Sequence, residues 1–204
     1  MQDNFIINNC AAILLAAGAS TRLGNPKQLL PYKGTNLVNH AIRVIEQADL
    51  HPVIVVTGAN AALIEEAIIA KHISIVTNYD WQEGIASSIR AGITTLGEKH
   101  PACDGALLMV CDQPYVTENV VLELTRVQRK TGKPIAACQY DHITGTPALF
   151  HQSIFPELLL LKGDKGAGKL LKERFTDVSI VPFAMGKFDI DTAEDYEAFT
   201  KDTL

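Results

Sequence analysis

Four continuous apolar runs, AILLA at 12–16, VIVVT at 53–57, ISIVT at 73–77 and GALLMVC at 105–111, constrain this chain more than any other feature. A strand with one wet face alternates apolar and polar residues. These runs do not alternate, which is the pattern of parallel strands covered on both faces. Amphipathic helical patterns separate them. In 36–48, Leu37, Ala41, Val44 and Ala48 recur at helical spacing while Arg43 and Glu46 fall elsewhere. The pattern repeats over 60–71 with Leu63, Ala67 and Ile68, and again over 87–96 and 117–130. Further strands are expected at 135–138, 148–150 and 178–183. A last helix is expected near Ala193, with Thr192 as its N-cap and Glu194 and Asp195 in its first turn. The alternation predicts an α/β fold, a doubly wound and mostly parallel sheet with helices on both faces. Segment 133–187 is less periodic and richer in Gly and Pro, and is expected to decorate the sheet and close over a cleft. No linker, repeat or low-complexity stretch divides the chain, so residues 1–204 are expected to form one domain.

The apolar fraction of 47% is ample for such a core, and the net charge of −5 argues against nucleic-acid or anionic-membrane partners. No apolar run is long enough to span a bilayer, and MQDNFIINNC lacks the basic segment and apolar stretch of a signal peptide, so a cytoplasmic protein is expected. Cys10, Cys103, Cys111 and Cys138 form no CxxC pair and are expected to be buried free thiols. The histidines show no zinc-ligand spacing.

The first strand breaks at Gly18 into LLAAGASTRLGNPK, 14–27, a small-residue loop that carries Arg22 and Lys27 with Gly24 between them. Small residues let backbone N–H groups approach an anion closely, and the two cations add charge-assisted bonds. The loop is not a P-loop: five residues separate Gly18 from Gly24, and Gln28 follows Lys27. Ala19-Ser20 after Gly18 does not supply a dinucleotide fingerprint either. A Gly-rich turn with two solvated cations fits the same residues. Doubly wound sheets bind ligands beyond the carboxyl ends of their strands. Gly18, Gly58, Asn78 and Asp112 follow the first four strands, so one shared cleft is expected there.

Asp112, between ALLMVC and Gln113-Pro114, suits Mg²⁺, which takes one or two protein carboxylates and fills its other positions with phosphate and water. It reads equally as the cap of the next loop. In FDIDTAEDY, 188–196, Asp191 is the candidate second metal ligand and Asp189 a lesser one, since extended backbone puts both on one side. Asn78, Glu83, Gly84, Ser87 and Ser88 follow the third strand and are candidates for reading a nucleotide base; Ser87 also serves as an ordinary helix cap. Gly145, Thr146 and Pro147 are candidates for the acceptor side, or form a plain turn. GDKGAG, 163–168, with Lys162 and Lys165, is a candidate contact for an anionic substrate, but reads first as a flexible surface loop. No nucleophile–base pair or G-x-S-x-G elbow is present, so the chemistry indicated is transfer at phosphorus by positioning and electrostatics.

LAAGASTRLGNPKQLLPYKG, CDQP, GTPALF, GDKGAGKLL and FDIDTAEDY together resemble, in order and spacing, the MobA-like nucleotidyltransferases, and among them the molybdenum cofactor cytidylyltransferases. The resemblance spans nearly the whole chain. It implies a Rossmann-like NTP-transferase fold, and transfer of a nucleoside monophosphate from an NTP to the terminal phosphate of molybdenum cofactor, with release of pyrophosphate. It implies that Leu15, Ala16, Ala17, Gly18, Ser20, Arg22, Gly24 and Lys27 hold the NTP phosphates. Asp112 is implied as the Mg²⁺ ligand, with Asp191 and Asp189 approaching the metal, and Arg22, Lys27 and Asp112 as the catalytic set. Ala17, where guanylyltransferase relatives have glycine, favours CTP. The partners implied are CTP, molybdenum cofactor or another phosphorylated acceptor, and a molybdoenzyme or its chaperone. Thr146 departs from the G-H-P of many cytidylyl relatives and removes an imidazole from the acceptor side. A sugar- or alditol-phosphate nucleotidyltransferase and a non-catalytic molybdenum cofactor-binding protein stay open.

Overall fold

The computed structural model describes residues 4–203. The chain runs β1 (Cys10–Leu15), β2 (Pro31–Tyr32), β3 (Thr35–Asn36), α1 (Leu37–Gln47), β4 (Val53–Thr57), α2 (Ala61–Ala67) and β5 (Ile73–Thr77). It continues through α3 (Ile85–Lys99), β6 (Gly105–Val110), α4 (Glu118–Thr131), β7 (Ile135–Tyr140) and β8 (Ile143–His151). It ends with α5 (Phe155–Leu158), α6 (Gly168–Glu173), β9 (Val178–Pro182) and α7 (Ala193–Thr203). Seven strands form one sheet in the order β5-β4-β1-β6-β8-β7-β9. Within it all pairings are parallel except those of β8, which runs antiparallel to both β6 and β7; β2 and β3 form a separate antiparallel pair.

The unbroken apolar runs follow from two cores. Ala12, Leu14, Val53, Val55, Leu107 and Met109 face one side, with Ile42 and Ile45 of α1 and Leu124 of α4. Ile13, Leu15, Ile54, Val56, Ala106 and Leu108 face the other, with Ile89, Ile93 and Leu96 of α3. Each residue of a central strand therefore meets a helix whichever way it points.

Segment 133–187 does not merely decorate the sheet, as its composition led us to expect: it supplies β7, β8 and β9. The sequence predicts a strand only over 148–150; Gly145, Thr146 and Pro147 hid the first half of β8, which starts at Ile143. The register steps from Ala137↔Ala148 to Cys138↔Gly145, leaving Thr146 and Pro147 outside the ladder. A bulge accommodates proline, which has no N–H to donate.

Helix ends depend on side chains. Asn36 Oδ1 accepts from Asn39 N at 3.0 Å and caps α1. Asn39, itself buried, donates to Ala67 O and accepts from Ile69 N, at 2.8 and 3.0 Å. These bonds replace the next helical pair, so α2 stops at Ala67 rather than running to residue 71. Before α7, Thr192 Oγ1 accepts from Asp195 N, and the Asp195 carboxylate accepts from Thr192 N. This is a reciprocal capping box.

All four cysteines are free, and burial pushes Cys10, Cys111 and Cys138 up to about 12, which keeps them protonated at neutral pH. Among the described residues no helix is long and apolar enough to cross a membrane.

Candidate active site

The carboxyl ends of β1 and β6 open into a cleft of about 350 Å³. Leu15, Ala17, Gly18 and Lys27 line one wall, Val110, Cys111 and Asp112 the floor, and Trp81, Gly84, Ile85, Ser88 and Asp164 the opposite wall. The walls can approach because residue 58, just after β4, is glycine: a Cβ there would lie 2.7 Å from Ala17 Cβ and 2.9 Å from Trp81 Cβ.

Charge concentrates at one end. Lys27 Nζ donates to Asp112 Oδ2 at 2.5 Å and to Asp191 Oδ1 at 2.8 Å, while Arg22 donates to Asp191 Oδ2 at 2.7 Å. Burial pulls the Lys27 ammonium down, but the two carboxylates outweigh it and hold it above its ordinary value. Lys27 holds Asp191 below the usual carboxylate range. Burial, with the charge of Asp112 beside it, pushes Asp189 up to about 6. Backbone geometry brings these acids in. Ile190 is buried against Tyr32, Leu37 and Phe199, and its N–H donates to Asp112 O at 3.0 Å. Asp189 and Asp191 flank that anchor, and the Asp195 carboxylate also accepts from Asp191 N.

The set fits a divalent cation on two observations. Asp112 Oδ1 is buried without a hydrogen-bond partner, and a carboxylate oxygen in that state calls for a cation or donor. Asp112 and Asp191 also already converge on one cationic atom, Lys27 Nζ. Among the described residues no three His, Cys, Asp or Glu side chains form a cage of their own.

The structure brings together Arg22, Lys27, Asp112, Asp189 and Asp191, and sets Leu15, Ala17 and Gly18 in the cleft wall. Ala16 and Ser20 serve the loop from within, and Gly24 lies on its exposed outer half. Of the residues expected to read a base, only Gly84 and Ser88 line the cleft. Asn78 is buried and donates to Ser87 Oγ and Ser88 Oγ, at 2.8 and 3.0 Å, and Ser87 Oγ donates to Gly84 O. Both hold the turn rather than face a ligand. Glu83 is engaged by both terminal nitrogens of Arg90, at 2.8 and 2.6 Å. Gly145, Thr146 and Pro147 do not line the cleft. Thr146 Oγ1 donates to Gln113 Oε1 at 3.3 Å, which ties the bulge to the residue after Asp112.

Trp81, Ile85 and Gln28 also line the cleft without any mark in the sequence, and so does Asp164, whose GDKGAG segment reads first as a surface loop. Position 84 shows why Asp164 escaped. Gly84 has φ 115°, and a Cβ there would collide with Asp164 Oδ1 and lie 2.6–2.7 Å from the Gly163 backbone. The turn at 163–165 is thus the second wall, recruited from far along the chain. Gly84→Ala should cost about 1–3 kcal/mol of stability and lift that turn away. Trypsin cleavage at Lys162 and Lys165 should accelerate; unchanged cleavage and melting would show that the two turns are not packed.

The MobA-like NTP transferase domain family matches residues 12–178, and the chain belongs to this family. It is 31% identical over 194 residues to the nicotine blue oxidoreductase of Paenarthrobacter nicotinovorans, covering 89% of this chain and 92% of that protein. It is 25% identical to a probable molybdenum cofactor guanylyltransferase of Bacillus mycoides, covering 82% of each chain. Rv0371C of Mycobacterium tuberculosis H37Rv, solved in complex with manganese, is 30% identical with a TM-score of 0.80, covering 96% of this chain and 100% of that one. The Rossmann-like NTP-transferase fold implied by the motifs is the fold observed.

Proposed function

We propose that this protein transfers CMP from CTP to the terminal phosphate of molybdenum cofactor, releasing pyrophosphate, with Mg²⁺ as its metal. The observation that carries the reading is the convergence of Lys27, Arg22, Asp112 and Asp191 at the carboxyl end of a parallel sheet, beside a small-residue loop. Asp112 and Asp191 would hold a divalent cation, which would supply neutralising charge at the α-phosphate. Lys27 exchanges its carboxylate partners for triphosphate oxygens, and Arg22, already exposed, does the same at the rim. The loop N–H groups around Gly18 fix the phosphates in line with the incoming acceptor. An acceptor phosphate oxygen forms the new bond to the α-phosphorus. The bond from that phosphorus to the bridging oxygen breaks, and pyrophosphate leaves with the electron pair. No enzyme side chain needs to become covalently attached.

CTP is favoured because Leu15-Ala16-Ala17-Gly18, with Ala17 where guanylyltransferase relatives carry glycine, resembles the loop of the cytidylyltransferases. The relatives named guanylyltransferases make GTP the competing substrate. A molybdoenzyme or its chaperone is the receiver of the product. Pyrophosphate release should be measured with each of four NTPs, with and without molybdenum cofactor. Release is expected with CTP plus cofactor, and calorimetry should give CTP the tighter binding. Preference for GTP would overturn the base assignment. Release with a sugar phosphate instead of the cofactor would overturn the acceptor.

A further inference from the structure

Gln28 is only 1% exposed, yet it sits at the wall of the cleft. Its Nε2 donates to Ala16 O and to Gly18 O, both at 2.9 Å. Its Oε1 accepts from Ser20 Oγ at 3.4 Å, and Ser20 Oγ in turn accepts from Lys27 N at 2.9 Å. The amide therefore ties the start of the loop, its middle and its end to one buried side chain. Ser20 has φ 54°, a left-handed backbone that a serine adopts at a cost, and its hydroxyl is the piece that bridges Gln28 to Lys27. The two carbonyls that Gln28 holds matter most. A carbonyl oxygen turned toward a phosphate repels it, and Gln28 draws two of them to itself, which leaves the loop's N–H groups as the polar surface available to an anion.

We propose that Gln28 is a positioning residue for phosphate binding: it preorganises the loop between Ala16 and Lys27 without touching the nucleotide's base or the acceptor. The inference rests on the nucleotide reading of the cleft. An ordinary core residue at 28 would fill the same volume but leave the loop to order only when ligand arrives, and that ordering weakens binding.

The test is Gln28→Met, which keeps the length and burial of the side chain and removes both donors. Pyrophosphate, CTP and cytidine are titrated by calorimetry with Mg²⁺ present, alongside melting curves. The dissociation constants for pyrophosphate and CTP are expected to rise about tenfold or more, while that for cytidine stays within twofold of wild type. A role confined to stability would lower the melting temperature and leave the ratio of CTP to cytidine affinity unchanged; that result overturns the proposal. If Gln28→Met does not fold, Ser20→Ala breaks the same bridge from the loop side. It should weaken pyrophosphate binding in the same direction, and wild-type affinity there overturns the proposal as well. A wild-type protein that binds neither CTP nor pyrophosphate overturns the nucleotide reading itself, an outcome distinct from a Gln28 variant that matches a competent wild type.

Discussion

Asp112→Asn should lower pyrophosphate release by roughly 10²- to 10³-fold, the scale of losing one preorganised charge-stabilising contact, while the protein stays folded. The substitution keeps shape and removes charge. It takes away a carboxylate whose Oδ1 is buried and unpartnered, and so the strongest attraction the floor of the cleft offers a divalent cation. Folding should survive because what Asp112 gives the fold is its backbone carbonyl, which accepts from Ile190 N and is untouched. Lys27 also keeps Asp191. The measurement is steady-state release over a Mg²⁺ series, with melting curves. Turnover near the wild-type rate at low Mg²⁺ would remove Asp112 from the chemistry.

Lys27→Ala should lower turnover by about 10- to 100-fold, the value of one charge-assisted bond, and should at the same time tighten binding of Mn²⁺ to the nucleotide-free protein. The second effect separates this residue from a merely structural cation. Lys27 Nζ occupies the point on which Asp112 and Asp191 converge, with side chains 15%, 19% and 38% exposed. Removing it leaves Asp112 without its cationic partner, beside an Asp191 held only by the exposed Arg22, a state that a divalent metal relieves. Without metal the variant should therefore melt lower than wild type, and Mn²⁺ should restore more of its stability. A variant with unchanged turnover, or one whose Mn²⁺ affinity falls, would contradict the assignment of Lys27 as a group shared between carboxylates and phosphate.

The parallel strands and the glycine-rich loop after β1 were legible because each is a local pattern. Apolar runs such as 53–57 need only their own residues and the rule that doubly covered strands do not alternate. Arg22 and Lys27 flank a glycine-rich turn within a few residues of one another. Asp189 and Asp191 were legible as a pair, from the period of extended backbone. Asn78, Glu83 and Ser87 misled because a polar residue in a loop carries no mark of whether it faces a ligand or its neighbours. Asn78 and Ser87 hold the turn, and Glu83 pairs with Arg90.

The sequence by itself determined the class of fold, the carboxyl-end placement of the loop and of Asp112, and the presence of the charges. Only the tertiary structure decided which charges meet. Asp191 reaches Lys27 across 164 positions of chain because Ile190 buries beside Tyr32 and Phe199 and because a capping box sets the start of α7. Asp164 becomes a wall of the cleft because Gly84 has no side chain to hold it off. β8 enters the sheet despite its proline because a bulge lets Pro147 leave the ladder. The physical reason is common to all three: periodicity and turn chemistry act over a few residues, whereas burial and ion pairing depend on which distant segments the two cores bring together.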